Sequence, residues 1–439
     1  MDRRRFLSTM SVAGATAAVG YTAFSNTGNG ANGAAPTSSL STTTSIGSVD
    51  PTITADPTGG TEVPVTTAPA VSTAGRVLVV VQMNGGNDAL NTLVPDDGRY
   101  FDARPDVSIN QGEVLAIADG SGHGLHPAFE PLLARWNDGN VAAVAGVGYE
   151  GSSRSHFAAM DDWFSARPGT VSSTGWLGRW LDLTDDGSGN PMRSIALGGR
   201  GKALASELVP STTVVDPGNF NLNNARDLDI SSYRDGLERL GLGSDQTAVA
   251  TATALESVDL FAEIVAGSTD TSQELSRRPS FTSLLATAGG LIERELGTEV
   301  IVVSGGGFDT HANQLDAHQE LLSDVFGGVA AFLDRMEAVG RADDVLVMTT
   351  SEFGRRVVQN GSRGTDHGRA GVQFMMGSAV LGGLRGGWDL GRLTDGDLTP
   401  ETDVRSLYQA GLDWLGGPTD EVLDRRYAEL ELLDSAVLV

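Results

Sequence analysis

The chain has 439 residues, 40% of them hydrophobic, which suits two to three domains or one large α/β domain with attachments. Acidic residues outnumber basic ones 56 to 30, a net charge of −26, and this excludes non-specific nucleic-acid binding and docking on an anionic membrane, both of which need a basic face. Cysteine is absent, so disulfides, thiolate metal sites, iron–sulfur clusters and cysteine nucleophiles are excluded too.

Residues 1–25 open with an arginine cluster, then Phe6 and Leu7, then a mildly apolar run of Ala, Gly, Val and Thr. A basic start with a short apolar core reads as an export signal. The Arg3-Arg4-Arg5-Phe6-Leu7 stretch resembles the twin-arginine signal, whose export machinery moves proteins already folded. The expected location is the periplasm, the cell surface or the extracellular space, with anchoring if the signal stays uncleaved. No stretch of about 20 strongly apolar residues follows, so no transmembrane bundle is expected. Residues 26–75 are rich in Thr, Ser, Gly, Ala and Pro and have almost no large apolar side chains. Such a segment cannot offset its chain entropy by burial and reads as a flexible linker. The folded domain is expected over residues 76–439.

Arg76–Gln82 (RVLVVVQ) is a continuous β-branched run, the pattern of a strand buried on both faces. Leu125, Phe129, Leu132, Leu133 and Trp136 follow helical spacing. Further strands are predicted at 141–147, 193–197, 297–303, 345–350 and 372–376. Between two of them, Leu321, Leu322, Val325, Val329, Phe332, Leu333 and Met336 mark one face of a long helix. Strands alternating with helices predict an α/β fold with a doubly wound, mostly parallel sheet. Residues 205–295 carry helical patterns and weaker strand signals, and read as a helical insertion or lid.

Ligands of open α/β sheets bind at the carboxyl ends of the strands. There the chain places Asn87-Asp88, then Arg154-Ser155-His156, then Asp309-Thr310-His311, then Glu352 with Arg355 and Arg356, then Asp366-His367. Carboxylates and imidazoles are ligands for a hard or borderline divalent ion. Asp88, Asp309, His311, Asp366 and His367 are therefore the candidate metal ligands. Five exceed one ordinary zinc site and point to one or two ions, zinc first, with calcium, magnesium or manganese as alternatives. Ser155, where a strand passes into a helix, is the candidate nucleophile, set against a plain N-cap role. Arg154 is a candidate clamp for a phosphate or sulfate group. His156 is open between ligand, general acid and core histidine. The P-loop, the Gly-x-Ser-x-Gly elbow and the dinucleotide-binding glycine pattern are all missing.

The motifs MNGGNDALNTLVP, LHPAFEPLLARWNDG, RSHFAAMDDWFS, GGGFDTHANQ, SEFGRR and GTDHGRA occur in that order over about residues 76–430. Together they resemble the family named domain of unknown function 1501, a branch of the alkaline phosphatase and sulfatase superfamily. The resemblance implies an alkaline phosphatase-like domain with a metal-binding acid at Asp88, a nucleophile at Ser155 and a late metal-binding pair at Asp366 and His367. Asp309 and His311 match the other metal's ligands, with His318 as a rival to His311. The superfamily's last histidine has no counterpart after His367, which leaves His126, His156 or Glu352 to complete a second site. The function implied is an exported metal-dependent hydrolase acting through serine on a small anionic ester of phosphate or sulfate. The alternative is a non-catalytic, metal-stabilised binding or assembly protein of the cell envelope.

Overall fold

A computed structural model describes residues 17–20, 75–117, 119–219, 230–243, 246–267 and 279–438. Apart from Ala17–Gly20 and Gly75, the expected signal and linker lie outside the described residues. Among the described residues the main sheet has ten strands: β1 (Ala17–Gly20), β2 (Val77–Asn84), β3 (Val141–Gly148), β4 (Ser194–Leu197), β5 (Ser211–Val214), β6 (Val300–Gly306), β7 (Val345–Thr350), β8 (Gly371–Met376), β9 (Gly383–Arg385) and β10 (Thr402–Asp403). Their order is β1-β5-β4-β6-β2-β7-β8-β3-β9, with β10 also on β3.

The β-branched run of β2 becomes a central strand because both of its faces are covered. Val77, Val79 and Val81 join a core with the helices Phe281–Glu293 and Gln314–Ala338. Leu78 and Val80 join a second core with the helices Trp176–Leu183 and Val404–Leu415. Helices thus lie on both faces, as in a doubly wound fold. Along Gln314–Ala338, Leu322, Val325, Val329, Phe332, Leu333 and Met336 are buried on one face, as their spacing predicts, whereas Leu321 is only partly buried and Phe326, outside the predicted set, is buried too.

One strand departs from the parallel majority of the sheet, and two expectations are corrected. Strand β8 runs antiparallel to both neighbours, β7 and β3. The chain leaves β7 at Thr350, stays at the carboxyl edge for a long excursion, and must re-enter the sheet from that edge. The 205–295 region is not only a helical insertion. It supplies β5, which pairs parallel to β4, and Phe281–Glu293 is a buried helix of the core rather than a lid. The run around Leu125–Trp136 is not one helix: Pro127 and Pro131 give a 3₁₀ segment over Pro127–Leu132, and a short α-helix follows over Leu133–Asn137.

At the carboxyl edge the loops interlock. Gly85 has φ +122°, and a Cβ there would lie 2.3 Å from the backbone nitrogen of Asp309. Gly86, with φ +81°, leaves room for the Phe353 ring, which a Cβ would meet at 2.3 Å. The loops after β2, β6 and β7 can approach this closely only because those positions lack side chains. Gly85→Ala is therefore expected to cost about 2–4 kcal/mol, from left-handed backbone strain plus overpacking. Gly98→Ala, with nothing within 4 Å of the added carbon, serves as the neutral control in denaturant unfolding.

Candidate metal centre

Four chain segments deliver the polar groups of this edge. His156 opens the helix His156–Ser165 that follows β3. Asp309 and His311 follow β6, Glu352 and Arg355 follow β7, and His367 ends the same excursion just before β8. His156, Asp309 and His367 place their ligand atoms within 4.8 Å of one another. His367 Nε2 lies 2.9 Å from Asp309 Oδ1, and His156 Nε2 lies 3.4 Å from Asp309 Oδ2. His311 Nε2 reaches two members of this group, at 3.0 Å from Asp309 Oδ1 and 2.9 Å from His367 Nε2. Neighbouring ligands on a tetrahedral zinc ion are about 3.4 Å apart, from a Zn–N distance of about 2.0–2.1 Å. The observed spacings, 2.9–3.4 Å, lie at or somewhat below that value.

Each member has a partner behind it. His156 Nδ1 faces Glu352 Oε1 at 2.9 Å, and Glu352 Oε1 also accepts from the Gly85 amide. His367 Nδ1 faces the Arg154 carbonyl at 2.8 Å. His311 Nδ1 faces Asp366 Oδ1 at 3.2 Å. Acceptors at Nδ1 draw the ring proton to that side of His156 and His367, so their Nε2 lone pairs turn inward toward a carboxylate. This outer arrangement is how proteins orient metal-binding histidines. The buried His156 Nε2 has no hydrogen-bond partner. Lone pairs and a carboxylate converging on one point fit a cation. The ring of Phe353 packs against both His156 and His367, at centroid distances of 4.9 and 4.6 Å, and fixes their planes.

Arg355 joins the segments. Its fully buried guanidinium donates to the carbonyls of Gly85, Gly86, Phe308 and Thr365 and to Asp309 Oδ1. It is a structural brace, not an anion binder. Burial works to raise the Asp309 carboxyl, but His367 and Arg355 outweigh it and hold it far below the usual carboxylate range.

The sequence-derived ligands divide. Asp309, His311 and His367 meet, and His156 joins them as a ligand-type residue. Asp366 stands behind His311 and also accepts from Asn360. Asp88 is not brought to the cluster. It caps the helix Ala89–Thr92, pairs with the buried Arg104 at 2.7 Å and accepts from Gln314. Burial would raise its carboxyl, yet Arg104 keeps it lowered. The loop after β2 does reach the site, through Gly85 and Gly86, but the Asp88 side chain points into the ion pair. His318 faces Asn87 instead, and burial brings it down to about 4. His126 caps the 3₁₀ segment and is lowered by burial to about 3. Ser155 occupies the N-cap of His156–Ser165, is exposed and makes no side-chain capping bond, so its hydroxyl is not spent on the helix. The Arg154 guanidinium is turned to Asp397 and away from the histidines. Sequence reasoning did not find the roles of Glu352 and Arg355. The only signal was their place after β7, in SEFGRR.

A family model described as "Protein of unknown function (DUF1501)" matches residues 169–428. A search among curated proteins gave no match. Among solved structures, the lipoteichoic acid synthase LtaP from Listeria monocytogenes is similar at 9% identity and TM-score 0.33, covering 84% of this chain and 76% of that one. The C-terminal periplasmic domain of EcEptC from Escherichia coli, in complex with Zn, is similar at 9% identity and TM-score 0.38, covering 82% and 93%. A protein in the alkaline phosphatase superfamily from Vibrio parahaemolyticus is similar at 8% identity and TM-score 0.36, covering 80% and 69%.

Two expectations follow for zinc measured on the purified full chain. His367→Ala loses bound zinc while the chain stays folded, because binding energy and not core packing is removed. Asp88→Ala keeps zinc but loses about 3–5 kcal/mol of stability, because Arg104 is left buried and unpaired. Zinc loss in Asp88→Ala at unchanged stability would reverse the assignment.

A third expectation concerns pH. The Glu352 hydrogen bond, acting against burial, raises His156 above its ordinary 6.5. A raised value means that the proton competes with a cation up to higher pH, so affinity is full above that value and falls as pH drops through it. Asp309 stays ionised and adds no competing proton near neutrality. A plot of zinc affinity against pH is therefore level on the alkaline side and declines as pH is lowered, with the bend lying above the pH expected for an ordinary imidazole. In Glu352→Gln the bend moves to lower pH, and a bend at the same pH in both proteins would contradict the role of Glu352.

Proposed function

The chain belongs to the DUF1501 family of proteins of unknown function, and from that membership and the geometry above we propose that it is a metal-dependent hydrolase of phosphate or sulfate esters acting through Ser155. The observation that carries the reading is the adjacency of two unspent groups. Ser155 offers a free, exposed hydroxyl at a helix N-terminus, and the next residue, His156, aims an unpartnered Nε2 into the Asp309–His367 cluster.

His156, Asp309 and His367, with His311 beside them, would hold a divalent ion, which would supply Lewis-acid polarisation and make the serine hydroxyl easier to deprotonate. The chain's own residues supply the rest. Ser155 Oγ attacks the phosphorus or sulfur, its proton passing by way of solvent to the departing alkoxide oxygen, which leaves as the alcohol. Water then hydrolyses the serine ester, restoring the hydroxyl and releasing phosphate or sulfate. The first amides of the helix His156–Ser165 face charge that builds on the transferred group. Arg355 keeps Asp309 ionised, and Glu352 and the Arg154 carbonyl hold the two rings in the orientation the ion needs.

The same reading places the protein outside the cytoplasm. It rests on Arg3, Arg4, Arg5, Phe6 and Leu7 as a twin-arginine signal. No helix among the described residues is long and apolar enough to cross a membrane.

The zinc-loaded chain is to be screened against a phosphate monoester, a phosphodiester and a sulfate ester. Ser155→Ala should lose about 10³-fold or more of any turnover found and keep its zinc. Turnover retained in Ser155→Ala would remove the serine from the mechanism. Silence of the zinc-loaded wild type on all three esters would contradict the hydrolase reading.

A further inference from the structure

Beside the metal centre lies a second polar cluster of opposite character. The hairpin Leu393–Leu398 turns through Asp395 and Gly396, which both have positive φ, the two-residue turn that Asp-Gly favours. The turn presents Asp397, whose side chain is fully buried. Three arginines from three segments face this one carboxylate. Arg154 contacts Asp397 Oδ2, Arg356 Nε lies 3.4 Å from Oδ1, and Arg369 Nε lies 3.6 Å from Oδ2. The exposed Asp395 also takes part: its carboxylate is 3.2 Å from Arg369 Nη2, and its carbonyl accepts from Arg356. Three positive groups thus meet two negative ones, one of them largely in solvent.

The donors are also in excess. Three guanidinium groups carry about fifteen N–H donors, and the partners just named use few of them. The buried Nε atoms of Arg154 and Arg369 have no hydrogen-bond partner. A network that existed only to neutralise Asp397 would need one arginine, not three. About a quarter to a third of each arginine side chain is exposed, so the cluster is open to solvent at guanidinium edges other than those two buried Nε atoms. This positive excess stands out in a chain of net charge −26.

The cluster is tied to the metal centre through the backbone. The Arg154 carbonyl orients His367, while its side chain turns the other way, to Asp397. Arg356 follows the brace Arg355, and Arg369 lies two residues after His367. Arg154, flanking Ser155, therefore borders two sites without closing over the first.

We propose that Arg154, Arg356 and Arg369, held on Asp397, form an oxyanion-binding subsite next to the metal centre, which selects esters carrying a second phosphate or sulfate group beyond the one cleaved. The substrate class rests on the hydrolase reading, and the anion site does not. Guanidinium groups bind such groups bidentately, so a loose triad of arginines with spare donors suits phosphate or sulfate better than a carboxylate.

Inorganic phosphate titrated into the full chain after chelator treatment, followed calorimetrically, tests the site without turnover. Wild type should bind one phosphate. Arg356→Gln and Arg369→Gln should each weaken binding at least about tenfold, and Arg369→Lys should fall between Arg369→Gln and wild type, since charge remains but the fork is lost. His311→Ala, which disturbs the metal cluster alone, should bind phosphate as wild type does. Thermal melts of the glutamine variants identify any that fail to fold, and Arg369→Lys then carries the test. Absence of phosphate binding in wild type, or unchanged affinity in Arg369→Gln and Arg356→Gln, would make the triad a structural ion network and overturn the proposal. Loss of binding in His311→Ala together with Arg369→Gln would place the anion on the metal cluster, with the same consequence. Phosphate binding lost only in the arginine variants, with no ester turned over, would end the hydrolase reading and leave the anion site standing.

Discussion

The carboxyl edge of this sheet depends on one buried cation. The Arg355 guanidinium has no contact with solvent, and an unpaired charge at such depth costs several kcal/mol. It is satisfied by four carbonyls, from Gly85, Gly86, Phe308 and Thr365, and by the Asp309 carboxylate. Those groups belong to the loops after β2, β6 and β7. The planar fork of donors sets their spacing, and a lysine could not reproduce it. The absent side chains of Gly85 and Gly86 let the loops close on it. Asp309 then stays ionised and faces three histidines.

Arginine does several different jobs within this short stretch of surface. Arg355 braces loops from inside, Arg104 neutralises the cap carboxylate of Asp88, and Arg154, Arg356 and Arg369 gather round Asp397 with donors to spare. The arrangement places a carboxylate-imidazole cluster, which draws cations, beside an arginine cluster, which draws anions. On the proposed reading an ester with anionic oxygens would be drawn to both, and Ser155 stands in the chain between Arg154 and His156. The strongly acidic remainder of the chain opposes non-productive anion binding elsewhere.

Much of this was legible before any coordinates. The apolar runs of β2, β3, β6 and β7 announce strands buried on both faces, and the glycine, acid and imidazole groups after them mark one working edge. Membership of the DUF1501 family follows from ordered motifs, although the matched residues 169–428 begin beyond Ser155 and His156. What the pattern does not carry is side-chain direction. Asp88 and Gly85 sit three residues apart in one turn, yet the glycine touches the metal-centre loop and the carboxylate turns into the core to meet Arg104. Spacing cannot distinguish a cap from a ligand, because both need an acid just before a helix. His156 was equally ambiguous, since the partners that turn Nε2 inward, Glu352 and Asp309, come from strands distant in sequence. The reversed direction of β8 was hidden for a similar reason: a buried run reads the same both ways, and only the closed excursion before it fixes the sense.

The account is most directly tested by anomalous diffraction at the zinc edge from crystals of the full chain grown with zinc. It predicts a peak at bonding distance, about 2.0–2.2 Å, from His156 Nε2, His367 Nε2 and an Asp309 oxygen, with Glu352 and the Arg154 carbonyl still on the Nδ1 atoms behind. A peak on Asp88 or His318, or none at the histidine cluster, would contradict it.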